Sequence, residues 1–328
     1  MFKYYLYRFA RFLVNRLSLV TSYKLGVILS DIQYVCSFRD RRAVRNNLKK
    51  ILPPGADLSA MTREVFRNFG KYLVEFLRMD GMVNQDFIAR RVKIENIDRI
   101  ARALEKGKGA IIMTAHIGNW EIGAVLLNML GYPLMAVTLP HKERPVNDLF
   151  NHQREVHGIT VVATHNAIRK CMEQLKSNKI IAIVGDRDFT VKGGELMDFF
   201  GHKALIPKGA AVFSKKTGAP IIPTFLIREP DGTFRLSILE PMFPPKEADE
   251  EGVPPAGSSP QGTSGLREEE EAIRKIMRRY LAVIEDQIRR YPTQWLLFRE
   301  FAVSSRTEKT NTQDMRNMPD RRQELSAR

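Results

Sequence analysis

The sequence predicts an α/β protein: a mainly parallel central sheet flanked by helices, with an amphipathic, membrane-associating helical region at its N-terminus. Short β-branched runs recur from residue 92 to residue 239, most of them separated by a helical stretch, and strand-helix-strand repetition of this kind folds with right-handed crossovers. Residues before 92 carry only helical patterning. With 44% hydrophobic and 27% charged residues in 328, the chain can bury a core, which excludes disordered, collagen-like and multi-span membrane proteins.

From the N-terminus, Phe2, Tyr5, Leu6, Phe9, Phe12, Leu13, Leu17 and Val20 share one side of a helical wheel, and Lys3, Arg8, Arg11, Asn15 and Ser18 the other, with Arg16 alone out of place. An aromatic stripe backed by arginine suits a helix lying in a bilayer interface. The alternative is an ordinary amphipathic helix packed on its own domain. The net charge is +15, and residues 1–50 hold eleven Lys or Arg against two Asp or Glu, which implies an anionic partner near this end. Residues 17–38 could cross a bilayer by length, but Lys24 and Asp31 would each cost roughly 2.5–3.5 kcal/mol at mid-membrane, so a monotopic protein is favoured. The apolar stretch is broken by Lys3, Arg8, Arg11 and Arg16, which is not a secretory signal. Cys36 and Cys171, the only two cysteines, form neither a disulfide framework nor a metal knuckle and fit a reducing compartment.

Residues 41–90 have helical, charged patterning, with Val65, Phe69, Tyr72, Leu73 and Phe76 facing a core. Strands are expected at 92–95, 110–114, 134–138, 160–163, 180–184 and 221–227, and helices at 97–106, 121–130, 147–157, 167–177 and 208–217. Pro207 and Gly218 bracket the last of these helices. Glu229-Pro-Asp-Gly232 forms the turn of an antiparallel hairpin with 234–239. Residues 252–265, rich in Gly, Pro, Ser and Thr, read as a flexible loop. A long helix then starts in the acidic run 268–271 and stops near Pro292, with Ile273, Ile276, Tyr280, Val283, Ile284 and Ile288 on its apolar face. The division expected is a membrane-associating region 1–40, an α/β domain 41–303 and a polar, disordered tail 304–328.

The segment Gly109-Ala-Ile-Ile-Met-Thr-Ala-His116-Ile-Gly-Asn-Trp-Glu121 runs from an apolar strand through a turn into a helix. On a regular helix His116 and Glu121 would lie about 140° apart, so they meet only if His116 sits in the turn. A carboxylate on one imidazole nitrogen fixes the tautomer and frees the other to take a proton from a hydroxyl. Alternatively, His116 and Glu121 simply decorate a helix start. A second polar knot, Gly185-Asp186-Arg187-Asp188, ends another apolar strand. Ligands of open parallel sheets bind at the carboxyl ends of strands, so His116 and 186–188 should share one rim. Lys192-Gly-Gly-Glu195 follows, before an apolar stretch that could approach a lipid or sugar. His141, His152, His157 and His165 read as surface histidines, and Trp120 and Trp295 as core or interface aromatics. Neither a Gly-x-Ser-x-Gly elbow nor a phosphate-cradling glycine loop is present.

Ala-His116-Ile-Gly-Asn-Trp-Glu121, Asp186-Arg-Asp188, Phe199-Phe-Gly201, Gly209-Ala210, Thr217-Gly-Ala-Pro-Ile-Ile-Pro223 and Tyr291-Pro-Thr-Gln-Trp295 occur in the order seen in the bacterial lipid A late acyltransferase family. So does Arg42-x-x-Val-x-x-Asn-Leu48, and the resemblance covers roughly residues 1–300. That family lies within the glycerolipid acyltransferase superfamily, which also holds phosphatidylinositol mannoside acyltransferases. The resemblance implies a glycerolipid-acyltransferase-like fold that moves a fatty acyl chain from an acyl carrier protein or coenzyme A thioester to a hydroxyl of a membrane glycolipid such as a lipid A precursor. No cofactor or metal is implied, and the enzyme would act at an anionic membrane surface, on the cytoplasmic face of the bacterial inner membrane. By the same resemblance His116 is the general base and Glu121 orients it. Arg154 binds the thioester carbonyl or a phosphate, and Asn119, Asp186, Arg187 and Asp188 contribute to the substrate site. Trp295-Leu-Leu-Phe-Arg299 departs from the Trp-x-His-Arg-Arg of many lipid A enzymes, and Glu195, nine residues after Asp186, is closer to the mannoside branch, which makes Glu195 the rival of Glu121. Two other classes compete: a metal-dependent phosphoesterase using His116, Glu121, Asp186 and Asp188 as ligands, and a basic adaptor without catalysis. Charge gathered beside an aromatic helix favours lipid over nucleic acid.

Overall fold

The computed structural model describes residues 2–187, 194–245 and 263–303, with the backbone alone at 263–266. Helices α1 (Phe2–Arg16), α2 (Leu19–Cys36), α3 (Phe38–Ile51) and α4 (Leu58–Leu77) come first, followed by the short α5 (Met79–Met82) and α6 (Gln85–Arg91). Then come β1 (Val92–Glu95), α7 (Asp98–Leu104), β2 (Ala110–Thr114), α8 (Trp120–Met129), β3 (Leu134–Thr138), α9 (Arg144–Glu155), β4 (Thr160–Ala163), α10 (Ala167–Lys176) and β5 (Ile180–Val184). The hairpin β6 (Gly194–Phe199) and β7 (His202–Pro207) leads to α11 (Gly209–Thr217), β8 (Ile221–Arg228), β9 (Phe234–Ile238) and α12 (Thr263–Arg290).

Seven strands form one sheet in the order β1-β9-β8-β2-β5-β3-β4, parallel except for the β8–β9 pair. The fold is therefore α/β with a mostly parallel sheet between helices. Central β2 (Ala-Ile-Ile-Met-Thr) is buried along its whole length, as a strand covered on both faces must be. Helices with α12 and α10–α11 close one face and α7, α8 and α9 the other, giving two apolar cores.

Two departures from the expected pattern stand out. The Gly194–Gly201 stretch is not a simple apolar approach to a ligand, because β6 and β7 pair antiparallel over 194–207, and their alternating polar and apolar residues lack the β-branched run that marked the other strands. Helix α12 begins at Thr263, so the last three residues of the expected loop belong to its first turn and the acidic run lies further in. Residues 252–262 of that loop, and the tail 304–328, lie outside the described residues.

α1 and α2 meet at Ser18, whose hydroxyl accepts the Thr21 N–H at 3.1 Å, and Arg78 donates to the Val14 and Leu17 carbonyls at the C-terminal end of α1. α2 lies against α4 through Ser22, Gly26 and Ser30; a Cβ on Gly70 would stand 2.6 Å from the Gly26 carbonyl oxygen, so the close approach needs glycine there. Asp31, the charge that argued against a membrane span, accepts both Arg63 and Arg67 at 2.8–2.9 Å. Among the described residues no helix is long and apolar enough to cross a membrane. The stripe on α1 is not packed on its own domain: Phe2 is 81%, Phe9 62% and Phe12 58% exposed, and Tyr5, Leu6 and Val20 are exposed with them. The face turned inward carries Tyr7, Ala10 and Val14.

Candidate active site

β2 and β5 are adjacent and in register from Ala110–Ile180 to Thr114–Val184. The residues just beyond their carboxyl ends therefore meet, and His116 stands against Asp186. Asp186 Oδ1 lies 2.7 Å from His116 Nδ1 and also accepts the His116 backbone N–H at 3.2 Å. Its other oxygen accepts the Trp295 indole N–H at 2.9 Å. Asp186 is fully buried, while the His116 side chain is 21% exposed. A doubly anchored carboxylate on Nδ1 fixes the tautomer that leaves Nε2 as the acceptor of the ring.

Sequence-local devices hold the turn. Gly118 has φ +62°, and a Cβ there would stand 2.0 Å from the Leu226 carbonyl oxygen, so only glycine fits. The Gly118 N–H bonds the Gln294 carbonyl at 3.0 Å and the Leu296 N–H bonds the His116 carbonyl at 2.7 Å. Asn119 caps α8 by accepting the Ile122 N–H at 3.1 Å, and its amide donates to Glu75 at 2.7 Å. Glu75, wholly buried, also accepts Arg228 Nε and the Tyr23 hydroxyl, both at 2.8 Å. Burial, followed by the charge of Glu75, pushes the Tyr23 hydroxyl up, so it remains a donor.

The electrostatics follow from burial and three charges. Burial lowers the His116 pKa below its ordinary value and the positive charge of Arg187 lowers it further, against the opposing pull of Asp186. Burial alone would raise Asp186, but His116, Arg187 and the Trp295 N–H outweigh it and keep the carboxylate ionised well below the usual range. Burial likewise opposes ionisation of Glu121, and the charge and hydrogen bonds of Arg154 reverse the balance.

The sequence-derived assignments change accordingly. Glu121 is close enough for its charge to be felt at His116, but its two oxygens accept Arg154 Nη2 at 2.7 Å and Nε at 2.9 Å. It braces Arg154 and does not bond His116. Arg154 in turn spends its Nε and Nη2 on Glu121 and turns Nη1 to the Asn151 amide oxygen at 3.3 Å, so its bidentate edge is taken by a carboxylate of the chain itself. Glu195 pairs with Arg274 of α12 at 2.6 Å, because β6 runs alongside that helix, and it is not the partner of His116. Asn119, with no exposed surface, cannot touch a substrate; it fixes the turn instead. Arg187 remains at the rim, half-buried, with Nη1 3.5 Å from the Leu296 carbonyl. Asp188 lies outside the described residues. Trp295 is the functional neighbour that composition and spacing missed. It reads as a core aromatic and is 97% buried as one, yet its N–H is what seats Asp186; the only signal was its place in the ordered motif set.

Among the described residues, no three His, Cys, Asp or Glu side chains gather as cation ligands. Glu121 is paired with Arg154, and Asp186 with His116 and Trp295. His157 bonds Asp80 at 3.1 Å and His141 lies over the Phe150 ring.

The family model described as bacterial lipid A biosynthesis acyltransferase matches residues 3–301. The chain belongs to that family. It is therefore a lipid acyltransferase, an enzyme of lipid metabolism. Among curated relatives of this acyltransferase, the phosphatidylinositol mannoside acyltransferase of Mycolicibacterium smegmatis is 27% identical over 213 residues, 63% of this chain and 69% of the relative. That of Mycobacterium tuberculosis H37Rv is 29% identical over 189 residues, 55% of this chain and 59% of the relative. The lipid A biosynthesis acyltransferase of Haemophilus influenzae is 28% identical over 141 residues, 42% and 43% of the two chains. Against these relatives the acyltransferase matches between about two fifths and two thirds of their length.

Proposed function

We propose that this acyltransferase moves a fatty acyl chain from a thioester of acyl carrier protein or coenzyme A to a hydroxyl of a membrane glycolipid, with His116 as the general base. The observation that carries the reading is the anchored His116–Asp186 pair, with Nδ1 tied and Nε2 free at the sheet rim. In the reaction the acceptor O–H gives its proton to Nε2 while its oxygen bonds the thioester carbonyl carbon. The tetrahedral intermediate collapses by breaking the C–S bond, and the imidazolium returns the proton to the departing sulfur, leaving an ester and a free thiol. Asp186 holds the ring and balances the transient imidazolium, and the Arg187 charge faces the negative oxygen of the intermediate.

A lipid A precursor is the first acceptor class. The longer matches to mannoside enzymes favour a mannosyl phosphoinositide as the second reading. The exposed aromatic face of α1 and the basic N-terminal segment support work at an anionic membrane, on the cytoplasmic face of the inner membrane. The test supplies purified enzyme with an acyl thioester and each acceptor in turn, and follows ester formation by mass spectrometry. Transfer to one acceptor, absent in a folded His116→Ala variant, is the expected result; wild-type turnover in that variant would overturn the assignment.

A further inference from the structure

Beyond the rim lies a groove of about 820 Å³ between α1 and the first two turns of α9, whose walls include Arg8, Arg11, Arg16, Arg144, Phe12 and His152. It is not part of the catalytic pocket. Its α9 wall ends at His152, and Arg154, which reaches the Glu121 side, projects about 200° further round the helix, so the groove and the site occupy opposite faces of α9.

The groove is built rather than incidental. Asp80 forms its fixed floor, accepting Arg11 at 2.5 Å, Gln153 at 2.8 Å and His157 at 3.1 Å. The Tyr7–Phe150 ring contact and the Lys3–Glu143 pair hold α1 to α9. With Arg11 neutralised, the groove keeps a surplus of positive charge. Among the described residues, Arg8 and Arg16 meet no carboxylate; their guanidiniums lie over the Tyr4 and Phe12 rings. Arg144 is 92% exposed and only loosely paired with Asp148, at 3.7 Å. Helix α1 turns its exposed aromatic face, Phe2, Phe9 and Phe12, to the adjoining side, and Phe12 belongs to both surfaces. A ligand must therefore be anionic where it meets the arginines and continuous with an apolar phase beside them.

We infer that this groove takes the phosphodiester headgroup of an anionic bilayer phospholipid, so that α1 is seated by one lipid headgroup as well as by its apolar stripe. The inference rests on the membrane reading of α1 given above, and the test separates the two. Full-length protein is sedimented with phosphatidylcholine vesicles and with vesicles containing about 30 mol% phosphatidylglycerol, at physiological salt. The groove variant is Arg8→Gln/Arg16→Gln/Arg144→Gln. A charge-matched control, Arg90→Gln/Arg102→Gln/Arg169→Gln, removes three exposed arginines elsewhere. The groove variant should lose about five-fold per arginine, roughly 100-fold in all, in partitioning to the anionic vesicles. Its binding to phosphatidylcholine and its turnover on micellar substrate should not change, and the control should stay within about three-fold of wild type. Equal losses in both triple variants would show diffuse attraction and overturn the groove, as would an unchanged groove variant. Loss of acyl carrier protein binding with vesicle binding intact would assign the arginines to a carrier instead and also overturn it. Failure of the wild-type protein to bind either vesicle would overturn the membrane reading itself.

Discussion

A base that works near neutral pH must be unprotonated there, and the surroundings of His116, the base proposed above, favour that form. Burial and the Arg187 charge favour the neutral ring. The proton-accepting form then predominates above the lowered pKa, and activity is lost as pH falls through it. The acid limb of kcat/KM should have its midpoint below 6.5, the ordinary histidine value, and Arg187→Met should move it upward because a repelling charge is gone. A limb unmoved in that variant would remove Arg187 from the electrostatics of the site. Trp295→Phe tests the other end of the chain of bonds: it deletes one N–H to a buried carboxylate and keeps an aromatic ring in the core. A hydrogen bond to a charged group is worth about 1.5–3 kcal/mol, so turnover should fall roughly 10- to 100-fold while the fold survives in thermal melts. At this scale the sequence was only half legible. His116 and Asp186 could be marked as rim residues, but Glu121, close in the chain, took the role of orienting group. The true contact spans 70 positions, and it appears only once β2 and β5 are known to be neighbours.

Elements were easier to read than their contacts. The parallel strands announce themselves through β-branched runs, and the helix over 208–217 through Pro207 and Gly218, whereas β6 and β7, with alternating Glu, Met, Asp and Lys, give no such signal. Gly118 shows how a single position sets an element boundary. Gly118→Ala meets both a left-handed φ and a carbonyl oxygen, so it should cost well beyond the about 1–2 kcal/mol of left-handed strain and abolish activity. Gly131→Ala, at φ +90° with open space around its Cβ, should cost only the strain; urea unfolding of the two variants makes the comparison. Glu75 was illegible for a different reason: a glutamate in a charged helix reads as solvated, yet it ties α2, α4, α8 and β8 together. Glu75→Leu strands Arg228 in the interior and should lose about 3–5 kcal/mol. Glu75→Leu/Arg228→Met should recover much of it, and a double variant no more stable than the single one would refute the pairing.

On the scale of the whole molecule, charge and apolar surface are sorted to one end. Phe2 and Phe9 gain from burial only if something outside the chain covers them. Phe2→Ser/Phe9→Ser should reduce partitioning to phosphatidylcholine vesicles by about ten-fold or more per residue, with unfolding free energy unchanged; a drop in stability of similar size would mean the stripe packs inside. The clamp at the other end has a temporal consequence. Trp295 closes on Asp186 across 109 positions, and the Leu296 N–H completes the His116 turn, so a nascent chain halted before Tyr291 holds both halves of the proton relay and cannot align them. Competence therefore arrives late in synthesis, after α1 has already emerged from the ribosome, so on the membrane reading proposed above the chain would meet its bilayer before it could act on anything there.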